Sequence, residues 1–270
     1  MPSMTKNEEW RQMQYLGVIA ALIVVFAYGP TSAAFSYARE ETMLTIAPSA
    51  DRAYRYGSQH FDVWRAKDYD LNRADRLFHR ALQIDATHPF VQHQLARIAF
   101  LRGDFTLALI RINAEIRMHP NPSSYYVRGL IRGFMGFYAE AAADYETFLH
   151  EEPTNWAGIN DYAWVLLKQN RPGDALVATD WGLIYWSDNP WLLNSKATAH
   201  LEMGQLELAE EAARAAQEAV MHIGPTDWLQ AYPGNDPLIA QEGILAFRKA
   251  VDENVHMIAL ARENSGKNVQ

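Results

Sequence analysis

Nine histidines carry the widest chemical range in this 270-residue chain, yet their spacing gives them no common task. His88 and His93 stand nearest each other, five apart. On a helix that spacing puts them on different faces, away from the i, i+4 geometry of a metal pair. The chain has no Cys. Thiol catalysis, Cys-ligated zinc, disulfides and a lipid-modified N-terminal Cys are therefore excluded. His-Glu-x-x-His, a Walker loop, a dinucleotide-binding Gly turn and a Gly-x-Ser-x-Gly elbow do not occur. Gly129 and Gly133 form a Gly-x-x-x-Gly, which reads as close helix packing inside a folded unit rather than as a membrane dimer motif. These residues describe a non-enzyme that calls for no cofactor and no metal. The remaining chemistry is recognition: 8 Trp, 13 Tyr and 11 Phe can anchor a partner, and Asn amides can pair with its backbone.

Charge narrows the partner. Lys and Arg number 24 against 32 Asp and Glu, a net charge of −8. A broad phosphate-binding surface is disfavoured, and with it nucleic acid. The balance is slightly basic from Arg39 to Pro120 and strongly acidic from Asn121 to Val220, with Glu151, Glu152, Asp188, Glu207, Glu210 and Glu211 in that half. Such a run is a solvated face or a docking face for a basic partner.

No charged residue falls between Arg11 and Arg39. Residues 15–35 are long and apolar enough to span a bilayer, while the small residues around Ala33 and Ala34 would also suit cleavage of a signal peptide. Trp10 and Tyr15 at one end, and Phe35 and Tyr37 at the other, match the two interfacial belts, and Glu8 and Glu9 are foreign to a signal peptide's basic lead. An uncleaved anchor is the favoured reading, with a soluble periplasmic form after cleavage near Ala34 as the alternative. Lys6 and Arg11 precede the span, which places the N-terminus inside and the bulk of the chain outside, in the periplasm of a bacterium.

The elements that position the recognition residues come from a repeat. Ala74, Ala108, Ala141, Ala175 and Ala209 are spaced 34, 33, 34 and 34 apart. Five residues before each of the last four lies Gly103, Gly136, Asn170 or Gly204, types that tolerate the left-handed end of a helix. Twelve residues before the same four lies Ala96, Gly129, Ala163 or Ala197. Phe78, Ile112 and Tyr145, four after their Ala, cover the next turn of the same face. Pro120 and Pro153 close two units, and Pro89 and Pro190 close two others slightly later. The result is a series of helix–turn–helix units, helix A then helix B, each too small to be stable alone.

This pattern resembles the tetratricopeptide repeat family. The resemblance spans about two thirds of the chain, in units beginning near Arg55, Pro89, Pro122, Trp156 and Pro190. It implies an all-α, right-handed superhelical solenoid. The first unit departs from the family pattern, with Asp62 at the small position and no Gly at its turn. Glu115 and Phe148 replace a small residue late in helix B, and Thr179 weakens the fourth unit.

The domain reading is an N-terminal tail over 1–14, an anchor or signal over 15–35, a linker or helical lead over 36–50, and the solenoid over 51–222. A loop and a C-terminal helix follow over 223–264, then a frayed tail over 265–270. Residues His222 to Pro237 read as a Gly/Pro-punctuated loop. Asp236 and Pro237 then start a helix from Leu238 to Arg262 whose apolar stripe is Leu245, Val251, Val255 and Ile258. It caps the last repeat or, alternatively, forms a dimer seam.

By resemblance to the family, helix A of each unit lines a concave groove. In the second unit its lining maps to Phe90, His93, Arg97, Phe100 and Leu101. The third unit contributes Tyr126, Leu130 and Phe134, and the fourth Asn160, Trp164, Leu167 and Lys168. Trp191, Asn194 and Thr198 come from the fifth. The two-carboxylate clamp some family members use for chaperone tails is not assembled by Arg97 and Lys168. The expected function is a membrane-tethered scaffold or assembly factor that binds a membrane or exported protein. The resemblance implies roles in envelope assembly, secretion or pilus machinery, or cytochrome maturation. The alternative is a periplasmic chaperone-like binder of many unfolded clients.

Overall fold

The computed structural model describes residues 33–232 and 234–267, so the anchor or signal assigned to 15–35 falls almost wholly outside the described residues. Among the described residues, no helix is long and apolar enough to cross a membrane. All regular structure among them is helical. A lead helix α1 (Ala33–Ile46) precedes five helix pairs: α2 (Ala50–His60) with α3 (Leu71–Ile84), α4 (Val91–Leu101) with α5 (Phe105–Met118), α6 (Pro122–Phe134) with α7 (Tyr138–Glu151), α8 (Trp156–Lys168) with α9 (Pro172–Tyr185), and α10 (Pro190–Glu202) with α11 (Leu206–Val220). A short α12 (Pro225–Ala231) and a long α13 (Ala240–Lys267) complete the chain.

Local chemistry sets the element ends. Gly103, Gly136, Asn170 and Gly204 all take positive φ, between 59° and 82°. After each, the next amide donates back across the turn, as Asp104 N–H does to the Ala99 carbonyl at 2.9 Å. Asn121, Asn155 and Asn189 cap α6, α8 and α10, their side chains accepting from Ser124, Gly158 and Leu192 amides. The five repeating Ala residues are fully buried, as are Phe78, Ile112, Tyr145 and Thr179 one helical turn later. Helix A therefore approaches helix B over small side chains while larger ones fill the next layer.

The first unit is distorted, and the structure shows how. Its helices are joined by ten residues, 61–70, where the other four pairs use three. The loop holds a 3₁₀ turn, Val63–Arg65, capped by the Asp62 carboxylate on Trp64 N–H. The small residue against Phe78 is Gly57, five positions before Asp62, and a Cβ there would lie 2.7 Å from the Phe78 ring. The lengthened loop, not a lost small position, accounts for the departure.

The other departures have partners. Glu115 is fully buried and accepts the Phe90 backbone N–H at 2.8 Å. Phe90 takes φ +64° there, which starts α4 two residues past Pro89. Phe148 fits because the facing residue is Gly158, whose added Cβ would stand 2.5 Å from the ring.

Both flanks of the repeats carry helix. The linker region is largely helix α1, docked on the first unit by buried Leu44 and by Glu40, which accepts from His60 Nε2 at 3.0 Å and Arg73 Nη2 at 3.1 Å. The expected loop contains α12, whose Asp227 carboxylate accepts the Gly224 amide. The C-terminal helix starts after a 3₁₀ turn capped by Asp236 and runs to Lys267, into the first residues of the expected frayed tail. Its buried stripe is Ile244, Val251 and Ile258, and Leu245 is exposed instead. Val251 packs with α11 residues Ala216 and Val220, so α13 caps the fifth unit. Arg248 adds bonds to the Val220, Met221 and Ile223 carbonyls at the end of α11.

Candidate partner-binding groove

Helices α2, α4, α6, α8 and α10 are the A members of the pairs, and α4 touches α6, α6 touches α8 and α8 touches α10. The expected lining residues fall into three groups there. The first is an open aromatic row. Phe100 meets Phe134 edge-on at 5.1 Å, and Phe134 lies 5.8 Å from Trp164. Phe105 and Tyr138, absent from the sequence-derived set, flank the row at 5.5 Å from Phe100 and 6.1 Å from Trp164. The row exists because Gly133 leaves room for the Trp164 ring, which a Cβ would approach to 2.7 Å. Phe134 is 58% exposed; Lys168 at the end of α8 and Phe90 at the N-cap of α4 are exposed too. Leu101, Leu130 and Leu167 are half-buried.

The second group forms a polar floor. Arg97 sits over the Phe61 ring at 4.6 Å and donates to Gln94 Oε1 at 2.8 Å. The Tyr126 hydroxyl donates to Asp161 Oδ2 at 2.8 Å. Burial pushes the Asp161 carboxyl up to about 6, against the opposing hydrogen bonds from Tyr126 and Asn160. Burial also works against the Arg97 charge and raises the Tyr126 phenol well above its ordinary value. Asp161 is not among the residues the sequence points to. A lone Asp inside an apolar helix was the one available signal.

The third group is spent on the protein's own packing. His93 is buried, shares a hydrogen bond with Ser124 Oγ at 2.9 Å, and is held down to about 3 by burial and by Arg97. Asn160 accepts from Ser195 Oγ at 2.8 Å, tying α8 to α10. Asn194 accepts from Asn254 of α13 at 3.0 Å, and the same amide reaches Thr198. Trp191 is 6% exposed and stacks on Phe247 of α13 at 4.9 Å and 5°.

The pairwise geometry of the helices decides the comparison with known proteins. MamA superposes on 64% of this chain and 92% of its own length, with a TM-score of 0.55 and 13% identity. Another MamA structure, MSR-1, covers 62% of this chain and 96% of its own, with a TM-score of 0.53 and 18% identity. YrrB, a TPR protein with an unusual peptide-binding site, covers 75% and 97%, with a TM-score of 0.56 and 11% identity. The fold is a tetratricopeptide-repeat-like solenoid. Compared by sequence, the chain matches no protein-family model and no curated protein. At these identities the structural likeness speaks to the fold alone.

Within that solenoid the outer face also carries apolar side chains. On α9, Val177 and Ile184 are each 71% exposed, and Trp181 and Tyr185, also exposed, meet at 5.3 Å. The Trp181 and Trp186 indole N–H groups donate to the Pro153 and Thr154 carbonyls, which pins both rings against the preceding loop.

Proposed function

We propose that this chain is a membrane-tethered protein–protein interaction scaffold that holds an extended partner segment along the inner side of its repeats. The observation that carries this reading is the row Phe100, Phe134 and Trp164, contiguous across three units and open at Phe134. Aromatic anchors set on rigid helices supply contact area at low entropic cost. The fold shared with YrrB, which has a peptide-binding site, supports a peptide-like partner. The apolar run over residues 15–35 supports tethering to the cytoplasmic membrane with the repeats on the exported side. A tether raises the effective concentration for a membrane partner, as an assembly factor for an envelope complex requires.

The test is photo-crosslinking from position 134 in the full-length protein in its native membrane, with partners read by mass spectrometry. One dominant partner is expected, and Phe134→Ala is expected to weaken its binding by about 2 kcal/mol, the scale of an interface hot spot. Because Phe134 is largely exposed, its thermal midpoint should hardly move. Full partner recovery with Phe134→Ala would remove the aromatic row from the site. A broad spread of exported clients would instead favour the chaperone-like binder.

A further inference from the structure

The inner floor of the groove is occupied by the chain itself. After α12 the backbone leaves the fifth unit and crosses to the first. Tyr232 accepts a hydrogen bond from Trp191 Nε1 of α10 at 3.1 Å. Two residues on, the Gly234 carbonyl accepts from the Tyr69 hydroxyl, in the loop of the first unit, at 2.6 Å. Gly234 is buried against the Arg97 guanidinium and the Phe61 ring, which a Cβ would approach to 2.7 and 3.4 Å. Between these anchor points lie Tyr126 and Asp161, and the Asp161 charge acts on the Tyr232 phenol. One aromatic hydroxyl and one backbone carbonyl bond to the repeats. Docking by main chain and a single ring is how a groove takes an extended peptide.

The segment also has the means to leave. It is bounded by the end of α12 at Ala231 and by the Asp236-capped turn at Pro237. Its neighbour α13 is held independently, through Phe247 on Trp191 and through Val251 and Ile258 on the last unit. Releasing Tyr232 and Gly234 costs their bonds to Trp191 and Tyr69 but no contact of one repeat with the next.

We propose that Tyr232 and Gly234 are a tethered stand-in for the partner, so that the floor admits an extended peptide with an aromatic followed by a glycine turn only after displacing them. The proposal rests on the groove reading above and names the chemistry of what the groove takes. A short tether gives the resident segment an effective concentration on the order of millimolar, which a free peptide must overcome.

The experiment uses the full-length protein and a labelled synthetic peptide of residues 228–239, with binding read by fluorescence anisotropy. Gly234 takes φ +109°, a conformation that a β-branched residue does not adopt. Gly234→Val therefore ejects the segment and leaves every groove side chain in place. The variant is expected to bind the peptide at least tenfold more tightly than the parent, with faster amide exchange over residues 224–239. Tyr69→Phe, which removes only the hydroxyl on Gly234, should act in the same direction by a smaller factor. Equal affinity in parent and variants, or binding to none of them, overturns the proposal. Crosslinks from position 134 separate the two readings. A partner that enters the groove equally well in parent and Gly234→Val sinks the stand-in and keeps the groove. Tighter peptide binding with partner crosslinks confined elsewhere keeps the displaceable segment and sinks the groove as the partner's site.

Discussion

Asp161 shows how one side chain ties the groove floor to pH. Its carboxyl is pushed up to about 6, chiefly by burial, with Tyr126 and Asn160 hydrogen bonds opposing. The phenols of Tyr126 on α6, Tyr145 on α7 and Tyr232 beyond α12 all feel its charge. The folded state therefore holds a proton that the unfolded chain releases near its ordinary value of 3.8. Stability falls as pH rises through that window. His93 runs the other way. Its folded value of about 3 lies below the ordinary 6.5, so its contribution is complete above 6.5 and lost as pH falls. The two slopes overlap, and only a difference separates them. Asp161→Asn keeps an acceptor for Tyr126 and removes the proton. It is expected to gain roughly 2–3 kcal/mol over the parent at pH 7 but little at pH 4, read by urea unfolding at both. An equal difference at the two pH values would show that Asp161 is hydrated. At the other end, burial opposes charge on His60, but the Glu40 carboxylate and the Asp68 carbonyl outweigh it and raise its value. That support for α1 is present below pH 6.5 and fades as pH rises through the raised value. Neither buried pair was visible in the sequence, because Glu40 and His60 are 20 positions apart and meet only when α1 folds back.

At the scale of the element, the repeat was legible wherever a single residue type has one structural job. The positive-φ turn residues and the buried Ala positions follow directly from sterics, so their spacing located four of the five pairs. The first pair shows in the sequence through Ala74 and Phe78, but the regular spacing points to Asp62 as its small position, because Gly57 is offset by the long loop. Gly57→Ala would drive a Cβ into the fully buried Phe78 ring and is expected to cost about 1–3 kcal/mol. Asp62→Ala, the position that the regular spacing singles out, removes only a cap on a 3₁₀ turn and should cost about 1 kcal/mol or less. Chemical denaturation of the two variants orders them. A larger loss for Asp62→Ala would restore the regular register. Helix α12 lies where the sequence reads as loop, because Gly224, Pro225 and Pro233 are breakers on average. Pro225 instead occupies the first turn, where its missing N–H has no helical partner to lose.

At the scale of the whole molecule, a solenoid passes stability from neighbour to neighbour. Phe247→Ala would leave Trp191 without its stacked ring and is expected to cost about 3–5 kcal/mol, felt first at α10, α11 and α13. Hydrogen exchange should show faster opening there and unchanged protection in α3 to α5. Uniform acceleration along the chain would mean one cooperative unit rather than a series. The sequence by itself determined the repeat length, the turns and the tight helix crossings, since each follows from the conformational and steric limits of single residues at short range. It also pointed to aromatics on the A helices. Tertiary structure alone decided which of these are available. Trp191 and Asn194 are covered by α13, and His93 is buried against Ser124, while Phe134 stays open. It also decided that Tyr232 and Gly234 reach back from the fifth unit to the first. The physical reason is the range of the contacts: Tyr69 and Gly234 meet from 165 positions apart. No local pattern encodes such a contact.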